Sequence, residues 1–170
     1  EVKLGSVPGG LSPIVISSSR PLAEIIRPLN KWSNNVMSQL MVYALAGKKY
    51  PPPLTREQGI EVMHDYLQAN NIESSGLVIA NGSGLSRRSR VSANFMTDLL
   101  HHAHASPLMP EYISSLSLNG IDGTTRRRFR AAAEMGTMHL KTGRLDGVAA
   151  IAGYVLAASG KMYSVAMLGN

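Results

Sequence analysis

The sequence predicts an α/β (α+β) fold in which helices fill most of the chain and an antiparallel sheet ends it. Two observations carry this. Before residue 116, apolar residues recur at helical spacing in several stretches, each with its own start or stop signals. The last 35 residues instead hold three apolar runs divided by turn residues, the pattern of a strand meander. With 170 residues, 44% of them hydrophobic, the chain is long enough to bury a core, and disorder is excluded as its main state.

Residues 5–19 are rich in Gly, Ser and Pro, and their one apolar patch, Ile14-Val15-Ile16, reads as a short strand or packed linker. Ser19 before Arg20-Pro21 starts a first helix carrying Leu22, Ile25, Ile26 and Leu29, which Pro28 should end or bend. A second helix runs from Asn34 to Ala46, with Ser33 in the N-cap position and Gly47 as its stop. Lys48-Lys49 and Pro51-Pro52-Pro53 form a stiff connection. Thr55 and Gln58 then make a capping box for a third helix to about Asn70. Leu77–Ala80 is a strand candidate closed by the turn Asn81-Gly82-Ser83-Gly84. Ser92 caps a helix to about Ala105, and a short one follows Pro110. After a loop at 119–123 comes an Arg-rich helical turn from Thr125. Met138–Lys141, Gly147–Ala158 and Met162–Leu168 are the closing strands.

Composition narrows the function. There is no cysteine, which excludes a disulfide scaffold, a thiolate zinc site and a cysteine nucleophile. A net charge of +6 suits an anionic partner without choosing among nucleic acid, membrane surface and acidic wall polymer. The longest uncharged stretches, 34–47 and 147–160, are too short for a membrane helix, so no transmembrane segment is expected. The chain starts without Met or a signal peptide and stops directly after an apolar run, which predicts a piece of a longer protein.

Lys141-Thr142-Gly143 places an ammonium, a hydroxyl and an unobstructed backbone together, the groups that penicillin-recognising serine enzymes use. A Ser-x-Asn triplet, also used there, occurs three times: Ser33-Asn34-Asn35, Ser92-Ala93-Asn94 and Ser117-Leu118-Asn119. About one match is expected by chance, so context must choose. The Ser92 match is accounted for as a helix cap, and Ser33 also reads as one.

Context selects Ser33. Pro21-Leu22-Ala23-Glu24-Ile25-Ile26-Arg27 leads into Ser33-Asn34-Asn35. Asn81-Gly82-Ser83-Gly84-Leu85-Ser86-Arg87 follows, then Leu140-Lys141-Thr142-Gly143-Arg144-Leu145 and Ala152-Gly153-Tyr154. In that order these motifs resemble the C-terminal part of the D-alanyl-D-alanine carboxypeptidase/endopeptidase family, the DacB-type class C penicillin-binding proteins, over roughly residues 14–170. The resemblance implies a penicillin-binding/serine β-lactamase-like domain, incomplete here, with an antiparallel sheet flanked by helices. Residues 1–170 would be its C-terminal part, without the upstream segment and inserted domains.

By the same resemblance Ser33, Asn35 and Lys141 are catalytic. Ser33 and Lys141 would share proton transfer and charge balance, and Asn35 would hold the substrate amide. Thr142, Gly143, Arg144, Ser83 and Leu85 are substrate-binding: Thr142 for the terminal carboxylate, the Arg144 N–H for the oxyanion hole, and Ser83 and Leu85 as pocket residues. The substrate is a peptidoglycan stem peptide ending in D-Ala-D-Ala, with β-lactams as covalent inhibitors of the full-length protein. No cofactor or metal is implied, and the compartment is periplasmic. Two departures stand out: Arg144 replaces a small hydroxyl residue, and Asn81 replaces an Asp. None of the nineteen serines has Lys three residues later, so the Ser-x-x-Lys nucleophile is absent from the sequence. The chain alone is expected to be inactive and to need its N-terminal half as a partner. The alternative is a non-catalytic cell-wall binding protein that keeps the fold.

Remaining features read structurally. Arg126-Arg127-Arg128-Phe129-Arg130, Arg87-Arg88 and Arg90 form solvated or domain-facing basic stretches, and no nucleic-acid partner is expected. His101, His102 and His104 lie on a helix whose adjacent positions diverge by about 100°, which argues against a metal site. The nine Met fit core packing.

Overall fold

The structure, a computed structural model, describes residues 5–170. Five α-helices precede a four-stranded antiparallel sheet. They are α1 (Leu22–Trp32), α2 (Asn35–Ala46), α3 (Arg56–Ala69), α4 (Ala93–Ala105) and α5 (Met109–Ser115). The strands β1 (Ser117–Leu118), β2 (Met138–Leu145), β3 (Val148–Leu156) and β4 (Met162–Gly169) lie in the order β1-β2-β3-β4.

The capping box forms as the sequence predicts: Thr55 Oγ1 accepts the Gln58 amide while the Gln58 side chain accepts the Thr55 amide. Ser92 caps α4 through the Phe95 amide at 3.0 Å. Pro28 does not end α1, which continues four residues beyond it to Trp32. An internal proline removes one helical hydrogen bond, but side chains tie this last turn to the rest of the molecule. Asn30 donates to Ser115 Oγ at 2.8 Å, and Lys31 donates to Leu116 O at 3.0 Å and to Asp122 at 2.5 Å.

Four further expectations are corrected. Leu77–Ala80 is not a strand: only Val78 pairs, in a single bridge to Arg90. Ile14-Val15-Ile16 is neither strand nor packed linker but stands exposed. The Arg-rich stretch is not a helical turn of its own. A short 3₁₀ turn, Gly123–Thr125, ends where it begins, and the guanidinium of Arg126 lies 5.3 Å over the Trp32 ring. Lys141-Thr142-Gly143 does not close a strand but lies inside β2, which runs on to Leu145.

Register assigns the sheet's two faces. On one, Tyr154 and Ala152 of β3 and Ala166 of β4 pack with Leu100 and Met96 of α4 and Tyr112 of α5, the centre of the core. The opposite face carries Tyr163 and Met167 of β4, which are largely exposed. A second unfilled surface is an apolar cleft of about 560 Å³ between α2, α3 and α4, lined by residues such as Leu45, Val62, Tyr66 and Phe95. No helix is long and apolar enough to cross a membrane among the described residues.

Candidate active site

The site forms where the end of α1 meets β2. Ser33 closes α1 in the left-handed conformation, φ and ψ both 54°, with its amide bonded to Leu29 O. It does not cap α2; that role falls to Asn34, whose Oδ1 accepts the Met37 amide at 2.9 Å. Released from capping, the Ser33 side chain faces the sheet. Lys141 Nζ donates to Ser33 Oγ at 2.8 Å and to Thr142 O at the same distance.

Burial of the ammonium holds Lys141 below the ordinary lysine range, since no carboxylate offsets its lost hydration. A hydroxyl that accepts from this amine keeps its own hydrogen to give elsewhere. The pair can therefore pass a proton to a third group and replace it from the nitrogen.

Asn35, the first residue of α2, reaches the other side. With its amide oriented to satisfy its surroundings, Nδ2 donates to the carbonyl oxygens of Ser33 and Ser83, each 3.2 Å away. That contact brings in the 81–86 loop. Gly82 presses against α2 so closely that a Cβ there would lie 2.5 Å from the Val42 side chain, and its amide donates to Gln39 Oε1 at 2.9 Å. The backbone of Ser83 is thus part of the site, whereas Leu85 projects into solvent, 58% exposed.

Beyond Lys141 the strand edge is open. Strand β1 pairs only with His139 and Leu140, so the β2 backbone from Lys141 to Leu145 has β3 as its one strand neighbour. Thr142, Gly143 and Arg144 line a shallow cleft of about 570 Å³ that takes in Arg128 and extends over the β2–β3 turn to Gly169, so two arginines stand near an edge that an extended peptide can join. The apolar cleft between α2, α3 and α4 contains none of the predicted site residues.

The sequence did not single out Thr124. Its hydroxyl accepts from Thr142 Oγ1 at 2.8 Å and neighbours Ser117 Oγ at 3.3 Å. The only sequence signal was the Asp122-Gly123 turn before it. The other two Ser-x-Asn matches are structural: Ser92 caps α4, and Asn119 is fully buried, donating to Phe129 O and Glu134 O and accepting from Met138 N. No group of three His, Cys, Asp or Glu side chains that could hold a metal occurs among the described residues. His101 and His102 bond separately to Ser164 and Tyr66.

A helical layer on one face of an antiparallel sheet, with a lysine–serine pair at the sheet edge, defines a domain of the penicillin-binding type. The structure superposes on penicillin binding protein 4 (dacB) of Haemophilus influenzae with a TM-score of 0.83 at 26% identity, covering 89% of this chain and 34% of that one. The same protein complexed with a novel β-lactam matches equally well, at a TM-score of 0.83. The chain belongs to the D-Ala-D-Ala carboxypeptidase 3 (S13) family, whose model matches residues 1–170. It is 32% identical over 170 residues to a D-alanyl-D-alanine carboxypeptidase of Actinomadura sp., covering 95% of this chain and 31% of that protein. It is 30% identical over 169 residues to the carboxypeptidase DacB of Mycolicibacterium smegmatis, covering 95% of this chain and 36% of that one. The chain thus spans about a third of the length of these curated relatives.

Proposed function

We propose that this chain is the C-terminal part of the catalytic domain of a serine-type D-Ala-D-Ala carboxypeptidase. The same chemistry would serve endopeptidase cleavage of peptidoglycan crosslinks. The observation that carries the reading is the 2.8 Å contact between Lys141 Nζ and Ser33 Oγ, which joins two of the family motifs across 108 residues of sequence.

In this reading the nucleophile is a serine of a Ser-x-x-Lys motif outside these 170 residues, because none of the serines here has that spacing. Its hydroxyl gives its proton to the lysine of that motif while its oxygen attacks the penultimate D-Ala carbonyl, the amide bond breaks, and D-Ala leaves as the free amine after taking up a proton. Ser33 delivers that proton to the departing nitrogen, and Lys141 restores it. Asn35 holds the substrate amide, and Thr142 the terminal carboxylate. The Arg144 amide helps to stabilise the oxyanion, with Arg128 and Arg144 adding positive charge along the cleft. Water then releases the acyl group from the nucleophile.

Two unfilled apolar surfaces support a further segment of the same protein packing here: the cleft between the helices, and the sheet face of Tyr163 and Met167. A stem-peptide substrate places the enzyme in the periplasm, and β-lactams acylate it as mimics of D-Ala-D-Ala, in keeping with the β-lactam complex of the Haemophilus relative. The test is covalent labelling of the full-length enzyme by fluorescent penicillin. Lys141→Ala should lower the acylation rate by orders of magnitude, and a wild-type rate would remove Lys141 from the site.

A further inference from the structure

Thr142 is the predicted contact for the substrate's terminal carboxylate, yet in the structure its hydroxyl points at another hydroxyl. Thr142 Oγ1 donates to Thr124 Oγ1 at 2.8 Å. Thr124 Oγ1 is 3.3 Å from Ser117 Oγ, which donates to Lys31 O at 3.1 Å and accepts the Thr124 amide at 3.1 Å. The single Ser117 hydrogen is directed at the Lys31 carbonyl, so Ser117 is the acceptor toward Thr124. The chain of hydroxyls therefore has one direction: Thr142 to Thr124 to Ser117 to the Lys31 carbonyl.

The anchor of this chain is rigid and its outer end is open. Ser117 is fully buried, whereas Thr124 and Thr142 are both partly exposed. The turn holding Thr124 requires glycine before it: Gly123 has φ +57°, and a Cβ there would lie 2.3 Å from Ser117 Oγ and 2.6 Å from Lys31 O. Close contact of Gly123 with both groups fixes where Thr124 stands.

We propose that Thr124 is a substrate-binding residue: its hydroxyl, beside that of Thr142, is the second donor to the carboxylate of the substrate. Two hydroxyl oxygens 2.8 Å apart can each give a hydrogen to one carboxylate group, once both rotate away from their resting partners. Thr124 thereby supplies the second hydroxyl contact that Arg144 cannot, since a guanidinium stands where the family resemblance has a small hydroxyl residue. Arg144 and Arg128 line the cleft that Thr142 borders and add charge, while Thr124, bonded to Thr142 from behind, adds direction. The inference rests on the carboxypeptidase reading of this site.

The experiment compares acylation of the full-length enzyme by benzylpenicillin and by its methyl ester, which lacks the negative charge. Thr124→Val should slow acylation by the free acid about tenfold to a hundredfold, the effect of losing one charge-assisted hydrogen bond. Acylation by the ester should change by less than about threefold. Thr124→Ser, which keeps the hydroxyl, should behave as wild type on both, and Thr124→Ala should repeat the split seen with valine. Equal losses on the two compounds, or no loss on the acid, would overturn the role of Thr124. Lys141→Ala is assayed alongside. If it abolishes acylation while Thr124→Val has no selective effect, only this inference fails; if it acylates normally, the reading of the whole site fails.

Discussion

Ser33 and Asn34 are neighbours with separate tasks: Asn34 Oδ1 accepts the Met37 amide and starts α2, while Ser33 ends α1 in the left-handed conformation and turns its hydroxyl to Lys141. A serine pays a steric cost in that conformation that glycine does not. The two positions should therefore differ in what they lose. Asn34→Ala should lower the unfolding free energy by about 1 kcal/mol through loss of the cap. Ser33→Gly relieves about 1 kcal/mol of backbone strain but removes the acceptor of the Lys141 ammonium, a bond of about 1.5–3 kcal/mol, so it should be no more stable than wild type and should lose activity. Urea unfolding with a parallel acylation assay reads both, and a Ser33→Gly protein more stable than wild type that still acylates would contradict the geometry.

The buried ammonium of Lys141 links stability to alkaline pH. Burial lowers its pKa from the ordinary 10.5, so the unfolded chain binds this proton more tightly than the folded one. Stability should accordingly rise with pH between the folded value and 10.5, and the cost of the ammonium should be constant below that window. Lys141→Met should be more stable than wild type at neutral pH and show a flatter alkaline limb while losing acylation. Thermal unfolding as a function of pH measures this.

His139 predicts a similar slope on the acid side. Desolvation lowers its pKa below 6.5, against the opposing effect of its bond to Ile113 O at 3.1 Å. The unfolded chain again binds the proton more tightly, so stability should fall as pH drops from 6.5 toward the folded value and then level off. His139→Gln should remove that part of the acid dependence.

Asn119 should matter for folding and not for chemistry. It joins three backbone groups of the 119–138 segment with no exposed surface of its own. Asn119→Ala leaves Phe129 O, Glu134 O and Met138 N without this partner and should cost about 3 kcal/mol. Acylation per folded molecule should stay at the wild-type rate, measured by active-site titration against the folded fraction.

Much of this arrangement was legible in the sequence, because capping and apolar alternation are local. Thr55 with Gln58, Ser92, and the strands β3 and β4 needed only neighbouring residues to declare themselves. What stayed hidden depends on distant partners. Strand β2 extends through the polar Lys141–Arg144 stretch because β3 pairs with it throughout, and β1 is two residues that exist only beside β2. Helix α1 passes Pro28 because Asn30 and Lys31 are held from residues 115–122. The motif order pointed to Ser33, Asn35 and Lys141, but which residue caps α2 was decided by the left-handed turn at Ser33. Thr124 carried no sequence pattern; only the fold sets it against Thr142.

The central claim is that these 170 residues supply the proton-handling and substrate-binding groups of the enzyme while the nucleophile lies elsewhere in the protein. Its most direct test is to acylate the full-length enzyme with benzylpenicillin and locate the adduct by peptide mass spectrometry. One modified serine is expected, followed three residues later by lysine, outside these 170 residues. An adduct on Ser33, or on any other of the nineteen serines of this chain, would contradict it.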